Sequence, residues 1–191
     1  RLGALYLSQV MTRPSEDLLT RFNQGDAAAF AELVELLGPR LKGFFLRKGV
    51  QVSTAEDLSQ HVFIRLYNSA SRYQARGRFD SFCFQVAHNI FLDHCRSKKV
   101  TLHGDDIPEQ SDERAQASEQ VEASDRDQIL RKVLAEQDDE TQQLLELAVL
   151  QKLAYADVST ILDIPVGTVK SRVYYALRRM RGQFKKYEQD L

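Results

Sequence analysis

The chain contains 191 residues, of which 43% are hydrophobic and 28% are charged, and its formal net charge is −1. These values are typical of a soluble globular protein with one or two domains. No apolar run approaches the roughly 18 residues of a membrane span, so membrane insertion is not expected. The opening RLGALYLSQV is too short and too weakly patterned for a secretory signal, and Cys83 and Cys95 lack CxxC spacing. We therefore expect a protein of a reducing, cytoplasmic compartment.

The first hundred residues carry the apolar spacing that is typical of amphipathic helices. SEDLLTRFNQG ends at Gly25, and DAAAFAELVELL begins at Asp26. The pair Gly38-Pro39 is predicted to interrupt this second helix before RLKGFFLRKG continues. No alternating run with Asn-Gly or Asp-Gly turns is present, so strands are not expected. The expected stripe of the second helix is Phe30, Leu33, Val34 and Leu37.

Two further helices are predicted before residue 100. STAEDLSQHVFIRLYNSA opens with a predicted capping box, Ser53 with Glu56 three residues later. RFDSFCFQVAHNIFLDHCRSKK has the spacing of another helix. The residues expected to face inward are Leu58, Val62 and Leu66 in the first of these helices, and Phe82, Val86 and Ile90 in the second.

The composition changes between Thr101 and Asp127, where nine Asp and Glu residues stand against two Arg. Such a stretch cannot bury enough apolar surface to order itself, so we predict a flexible acidic linker at a domain boundary. Helical spacing resumes at about Ser124 and continues through TQQLLELAVLQK and AYADVSTIL.

The stretch DIPVGTVKSRVYYALRRMR opens a basic run. Between Val166 and Lys186 the chain has seven Lys and Arg residues and no Asp or Glu. Pro165 can start a helix, because its missing N–H costs nothing there. The apolar spacing on both sides of this turn is that of a helix-turn-helix, whose second helix enters the major groove of DNA. Lys and Arg near its start can reach guanine edges, and later ones suit phosphates. The expected contacts across the turn are Val158, Leu162, Ile164 and Val169.

Other interpretations of these residues remain open. A basic run can also be a solvated face that closes a helical bundle. A stand-alone regulator would bind duplex DNA without a polymerase, usually as a dimer. A protein-interaction factor would use the N-terminal helices, with the basic tail incidental. His88, His94 and Cys95 fit no common zinc spacing, and no phosphate-binding loop or H-E-x-x-H motif is present, so we predict no metal, no cofactor and no catalysis.

Four ordered motifs resemble the bacterial RNA polymerase sigma-70 family, in its extracytoplasmic-function (group IV) branch. They are GDAAAFAELVELL, AEDLSQHVFIRLY, GRFDSFCFQVAHNIFLDHCRSKK and LAYADVSTILDIPVGTVKSRVYYALRRM, and the resemblance covers nearly all of Leu18 to Lys186. It implies an all-α protein with a sigma-2-like and a sigma-4-like helix-turn-helix domain joined by the acidic linker. The expected division is a leader or added extension at 1–14, the region 2 domain at 15–100, the linker at 101–124 and the region 4 domain at 125–191.

The resemblance also implies a function and partners. A sigma factor binds core RNA polymerase, reads the −35 and −10 promoter elements and aids promoter melting, and it is not itself an enzyme. The expected partners are the β′ clamp of core polymerase, promoter DNA and an anti-sigma factor. The linker resembles the segment that threads the polymerase between the two DNA-reading domains.

Individual residues match the family's regions. AEDLSQHVFIRLY is similar to region 2.2, which docks on the β′ clamp helices, and its matching residues are Asp57, Gln60, Phe63 and Arg65. RFDSFCFQVAHNIFLDHCRSKK is similar to regions 2.3 and 2.4, which open the −10 element and hold one strand, with candidates Phe82, Gln85, His88, Asn89, Asp93, Arg96, Lys98 and Lys99. The family often carries Trp where Phe82 stands, and this chain has no Trp. VGTVKSR is similar to region 4.2, which reads the −35 duplex, with candidates Thr168, Lys170, Ser171, Arg172, Tyr174, Tyr175 and Arg178.

Overall fold

The computed structural model describes residues 18–73, 79–101 and 125–189. The chain divides into two compact units, Arg1–Ala117 and Ser118–Leu191. Within the described ranges both units are built from helices, and neither contains a strand, which confirms the all-α prediction. The predictions for residues 1–17 and for the linker at 102–124 lie outside the described residues.

The described part of the first unit contains four helices and one short turn. They are α1 (Leu18–Asn23), α2 (Ala27–Arg47), α3 (Val52–Ser69) with a 3₁₀ turn after it (Ala70–Arg72), and α4 (Phe79–Thr101). Asp26 caps α2 as predicted, because its side chain accepts a hydrogen bond from the backbone N–H of Ala28.

Helix α2 runs without interruption through Gly38-Pro39, so the predicted break is wrong. Pro39 has no N–H to donate to the carbonyl of Glu35, but both residues are exposed and water can reach that side of the helix. On the other side Leu33, Leu37 and Leu41 are fully buried and hold the two halves in line. Val34 was expected to join this stripe and is exposed instead.

The predicted capping box of α3 is also wrong. The helix begins at Val52, one residue before Ser53, and Gln51 occupies the cap position without a side-chain hydrogen bond. Glu56 forms an ion pair with Lys42 of α2, at 2.8 Å between Nζ and Oε1. Its carboxylate therefore links two helices where the sequence suggested a local cap.

The core of the first unit confirms one predicted stripe and shifts another. Leu58, Val62 and Leu66 of α3 are buried as expected. In α4 the prediction is wrong for Phe82 and Val86, which are only half-buried, and right for Ile90. The other buried residues of α4 are Phe79, Cys83, Phe84, Ala87 and His88. RFDSFCFQVAHNIF offers apolar residues at nearly every position, so spacing alone did not identify the inward face.

The second unit packs its helices around the long C-terminal one. They are α5 (Asp125–Ala135), α6 (Asp139–Leu145) with a π-helical turn after it (Glu146–Leu150), α7 (Tyr155–Leu162) and α8 (Val166–Gln189). One buried cluster joins α5, α6 and α8 through Ile129, Val133, Leu145, Ala176 and Met180. Burial of each Ile, Val, Leu or Met side chain in it contributes about 1.5–3 kcal/mol, so this cluster fixes the direction of α8.

Two glycines with open space around them should respond to alanine in opposite directions. A Cβ atom at Gly38 or at Gly25 would meet no other atom within 4 Å. Gly38 lies inside α2, so Gly38→Ala should raise the free energy of unfolding by about 0.5–1 kcal/mol through helix propensity. Gly25 has a φ of +99°, which a residue with a Cβ adopts only with strain. Gly25→Ala should therefore lower the free energy of unfolding. Urea unfolding of both variants tests this, and equal effects of the two substitutions would contradict it.

Candidate nucleic-acid and protein interfaces

The outer face of α3 carries the residues predicted to bind a protein partner. Asp57, Gln60 and Arg65 are exposed, and Phe63 is half-buried. Ile64, next to Arg65 on the same helix, is 55% exposed. Burial of the opposite stripe leaves these side chains outward, where they form a mixed polar and apolar surface suited to a partner helix.

A groove of about 490 Å³ lies between α3 and α4. His94 lines it, and the Nε2 atom of His94 is buried with no hydrogen-bond partner among the described residues. Burial and the charge of Lys98 lower the pKa of His94. The residues that line the groove are Leu58, His61, Ile64, Arg65, Ile90, Asp93, His94 and Ser97.

The predicted DNA-binding residues of α4 form an exposed face with one exception. Asn89, Asp93, Arg96 and Lys98 are exposed, and Gln85 is half-buried. Lys99 belongs to the same helix, and its side chain lies outside the described part of the chain.

Asp93 connects this face to α3. Its carboxylate accepts from Arg96 Nη1 at 3.2 Å and from Arg65 Nη2 at 3.4 Å. One carboxylate therefore stands between two guanidinium groups, one on each helix.

His88 is the exception on α4. It is only 7% exposed, and its Nδ1 atom has no hydrogen-bond partner in the described ranges. Burial lowers the pKa of His88 to about 4, and the charge of Lys48 contributes in the same direction. His88 is therefore neutral near pH 7 and belongs to the core of the first unit, while the adjacent Asn89 reaches the surface.

The aromatic residues of α4 differ in burial. Phe79 and Phe84 are buried, as expected for core residues. Phe82 packs on Tyr73, with ring centroids 4.9 Å apart, and both are half-buried. Tyr73 follows the 3₁₀ turn, outside any periodic pattern, so sequence reasoning missed it. In the sequence, Tyr73 is marked only by being an aromatic residue next to the basic stretch before α4.

The turn between α7 and α8 has the geometry predicted for a helix-turn-helix. Asp163 ends α7 in the left-handed region, with φ 52° and ψ 47°. The Ile164 N–H donates to the Ser159 carbonyl at 3.1 Å, and the Ser159 hydroxyl donates to the Ile164 carbonyl at 2.6 Å. Val158 and Val169 are buried across the turn, and Leu162 and Ile164 are half-buried. The small polar residues Ser159 and Asp163 therefore suit this turn.

The outer face of α8 presents the predicted duplex-reading residues. Lys170, Ser171, Arg172 and Arg178 are exposed, and Thr168 is half-buried. Two tyrosines of the same helix, Tyr174 and Tyr175, are 61% and 64% exposed, with ring centroids 5.4 Å apart. Exposed tyrosine rings next to basic side chains are typical of a binding interface.

Two of the basic side chains of α8 contact the first turn of α6 or the residues just before it. Arg172 Nη1 lies 2.7 Å from Glu140 Oε2. Arg179 Nε donates to Gln137 Oε1 at 2.9 Å, and its guanidinium lies 3.8 Å from the Asp138 carboxylate. Periodicity could not reveal these pairs, because they join residues 32 to 42 positions apart.

Two further properties concern the described residues alone. In these ranges no three His, Cys, Asp or Glu side chains are grouped so as to hold a metal ion. None of the described helices combines the length and the apolar character needed to span a bilayer.

Comparison with known proteins gives matches in both units. Residues 33–101 match the family model for Sigma-70 region 2, and residues 127–180 match that for Sigma-70, region 4. The chain is 28% identical to the ECF RNA polymerase sigma factor RpoE of Cereibacter sphaeroides over 82% of this chain and 86% of that protein. It is 23% identical to the ECF RNA polymerase sigma factor SigW of Bacillus subtilis over 87% of this chain and 95% of that protein.

Solved structures share the fold. The sigma factor RpoE of Bartonella quintana, solved in complex with the anti-sigma factor NepR, matches with a TM-score of 0.59 and 21% identity over 82% of this chain and 96% of that one. CnrH, solved in complex with the cytosolic domain of CnrY, matches with a TM-score of 0.58 and 14% identity over 91% of this chain and 96% of that one.

The buried His88 should make the stability of the first unit depend on pH. The pKa of His88 falls from 6.5 to about 4 on folding, so the unfolded chain binds a proton more readily between these values. The free energy of unfolding should therefore fall as the pH drops from 6.5 toward 4, by roughly 1–3 kcal/mol after allowance for solvent screening. In His88→Leu the fall between pH 6.5 and 5 should be smaller than in the wild type.

Urea unfolding at a series of pH values measures this difference. His61→Leu, a change of the same type at an exposed position of α3, is the matched control and should keep the wild-type profile. An unchanged pH profile in His88→Leu would contradict the neutral, buried state of this histidine.

Proposed function

The chain belongs to the bacterial RNA polymerase sigma-70 family, in its extracytoplasmic-function branch, and from this membership we propose how its two units divide the work of a sigma factor. It is a transcription factor that directs promoter-specific initiation by RNA polymerase. The first unit docks on core polymerase and holds the melted −10 element, and the second reads the −35 duplex. The chain itself performs no catalysis and works in the cytoplasm beside the polymerase.

In the first unit, the polymerase-binding surface is the outer face of α3. Asp57, Gln60, Phe63 and Arg65 lie in the segment that matches region 2, and three of the four are exposed. A charged and amide-bearing face with a large apolar residue, Ile64, suits the side of a partner helix. The expected partner is a helix of the β′ clamp.

The −10 strand lies along α4 in this proposal. Arg96 and Lys98 supply cations for the backbone, and Asn89 can hydrogen-bond an unpaired base. The half-buried pair of Phe82 and Tyr73 offers an aromatic surface for stacking, at about 1–3 kcal/mol per base. His88 is left out of this surface because it is buried and neutral.

In the second unit, α8 enters the major groove of the −35 element. The observation that carries this proposal is the exposed outer face of α8, which has no Asp or Glu between Val166 and Lys186. This face follows the turn of a helix-turn-helix in the segment that matches region 4. Lysine and serine can hydrogen-bond base edges, and the exposed tyrosines can contact thymine methyls and sugars. The residues proposed to face the duplex are Thr168, Lys170, Ser171, Tyr174, Tyr175 and Arg178.

An anti-sigma factor is the proposed regulator of the chain. The support for this regulator comes from a neighbour with the same fold, RpoE of Bartonella quintana, which was solved with an anti-sigma factor. Such a partner would compete with core polymerase for the exposed helix faces described above.

Reconstituted transcription tests the function directly. Sigma-free core polymerase, this protein and fragmented genomic DNA of the source organism would be combined, and transcript 5′ ends mapped. Discrete starts that share two upstream elements and vanish without the protein are the expected result. An absence of new starts together with an absence of core binding would refute the proposal and favour a stand-alone duplex-DNA regulator.

Reciprocal variants should separate the two units. Lys170→Ala should weaken promoter-specific transcription by roughly 5- to 150-fold, which corresponds to about 1–3 kcal/mol for a lost base contact, while leaving core binding intact. The double variant Asp57→Ala, Gln60→Ala should reduce core binding and leave the contacts of α8 with duplex DNA unchanged. Core pull-down and transcription assays measure both properties, and equal loss of both in every variant would contradict the division of labour.

A further inference from the structure

One flank of the recognition helix α8 contacts the start of α6 and the segment that joins α5 to α6. Arg172 and Arg179 are seven residues apart, which is about two helical turns, so they lie on the same side of the helix. Arg172 pairs with Glu140 at 2.7 Å, and Arg179 contacts Gln137 and Asp138.

The joining segment is itself rigid. Gln137 is only 4% exposed, and its side-chain amide donates to the Val133 carbonyl at 2.7 Å and to Gln183 Oε1 at 3.1 Å. Asp138 caps α6, since its carboxylate accepts from both the N–H and the hydroxyl of Thr141, each at 2.8 Å. Arg179 therefore binds a fixed point of the second unit, and Arg172 binds Glu140 in the first turn of the helix that Asp138 caps.

The flank with the arginines is neither the buried face of α8 nor the face opposite it. Val169, Val173, Ala176 and Met180 define the buried stripe. At 100° per residue, the positions that project directly away from that stripe are those of Ser171 and Arg178, with Tyr174 and Tyr175 about 50° to either side. Arg172 projects sideways, toward α6.

We infer that Glu140 and Arg172 are positioning residues for −35 recognition: their ion pair fixes the rotation of α8 about its own axis and so selects which side chains reach the base edges. The inference rests on the function proposed above. It changes the expected role of Arg172, which would support the residues that contact DNA and would not contact DNA itself. A rotation of about 20° would move a side-chain tip at the helix surface by roughly 2 Å, which is enough to break a hydrogen bond.

A charge swap distinguishes positioning from direct contact. Glu140→Arg, Arg172→Glu and the double swap would each be combined with core polymerase and a promoter library randomised at each −35 base pair. Each single variant should lower the base preference, which is the ratio of transcription with the preferred −35 base pair to transcription with the others. The expected decrease is about two- to five-fold, the range of an exposed ion pair. The double swap should restore the preference, because the pair re-forms with its charges exchanged.

Several outcomes would overturn the inference. If Arg172 contacts DNA itself, the swapped chain carries a carboxylate at that contact and stays defective. Asp139→Arg makes the same change of charge one residue from Glu140 and is the matched control. It should alter total yield and salt dependence while leaving the base preference intact, and an equal flattening by this control would mean a general electrostatic effect. Thermal unfolding of each variant identifies any loss of folding, and rescue by the swap excludes it as the cause.

Failure of the proposed function would look different. A wild-type holoenzyme with no base preference at −35 would refute duplex reading by α8 as a whole. A wild-type preference that the swap does not restore would refute the positioning pair alone.

Discussion

One-sided burial is the constraint on which both units depend. Each long helix buries one apolar stripe, and the opposite face is left for partners. In α3 the burial of Leu58 and Val62 turns Asp57 and Gln60 outward. In α8 the burial of Val169 and Val173 does the same for Ser171 and Tyr174. The cores of these small domains therefore determine which residues polymerase and DNA can meet.

The sequence predicted the elements whose signals are local and strong. The stripe of α3 stands out because Leu58, Val62 and Leu66 recur at intervals of four residues, and Pro165 marks the turn before α8. Prediction failed where two signals competed. Pro39 indicated a break, but the fully buried Leu37 and Leu41 beside it outweighed the lost hydrogen bond. In α4 the excess of apolar residues hid the inward face, so His88 was assigned to the surface and is buried.

Pairs that cross between helices could not be predicted at all. Glu56 was expected to cap its own helix and instead binds Lys42. Tyr73 meets Phe82, and Glu140 meets Arg172, over separations that carry no periodic signal. Which residues face outward therefore followed from the sequence for most of α3 and α8, while the contacts that orient them required the folded chain.

The residues of the turn before α8 and those on the outer face of α8 differ in how freely they can be substituted. Asp163 adopts a left-handed conformation that few residues other than Gly, Asn and Asp enter without strain, and Ser159 closes the turn from the other side. The outer face of α8 takes no part in this arrangement. Promoter preference can therefore diverge, or be redesigned, by substitutions at positions such as Ser171 and Tyr174, while the angle between α7 and α8 stays the same.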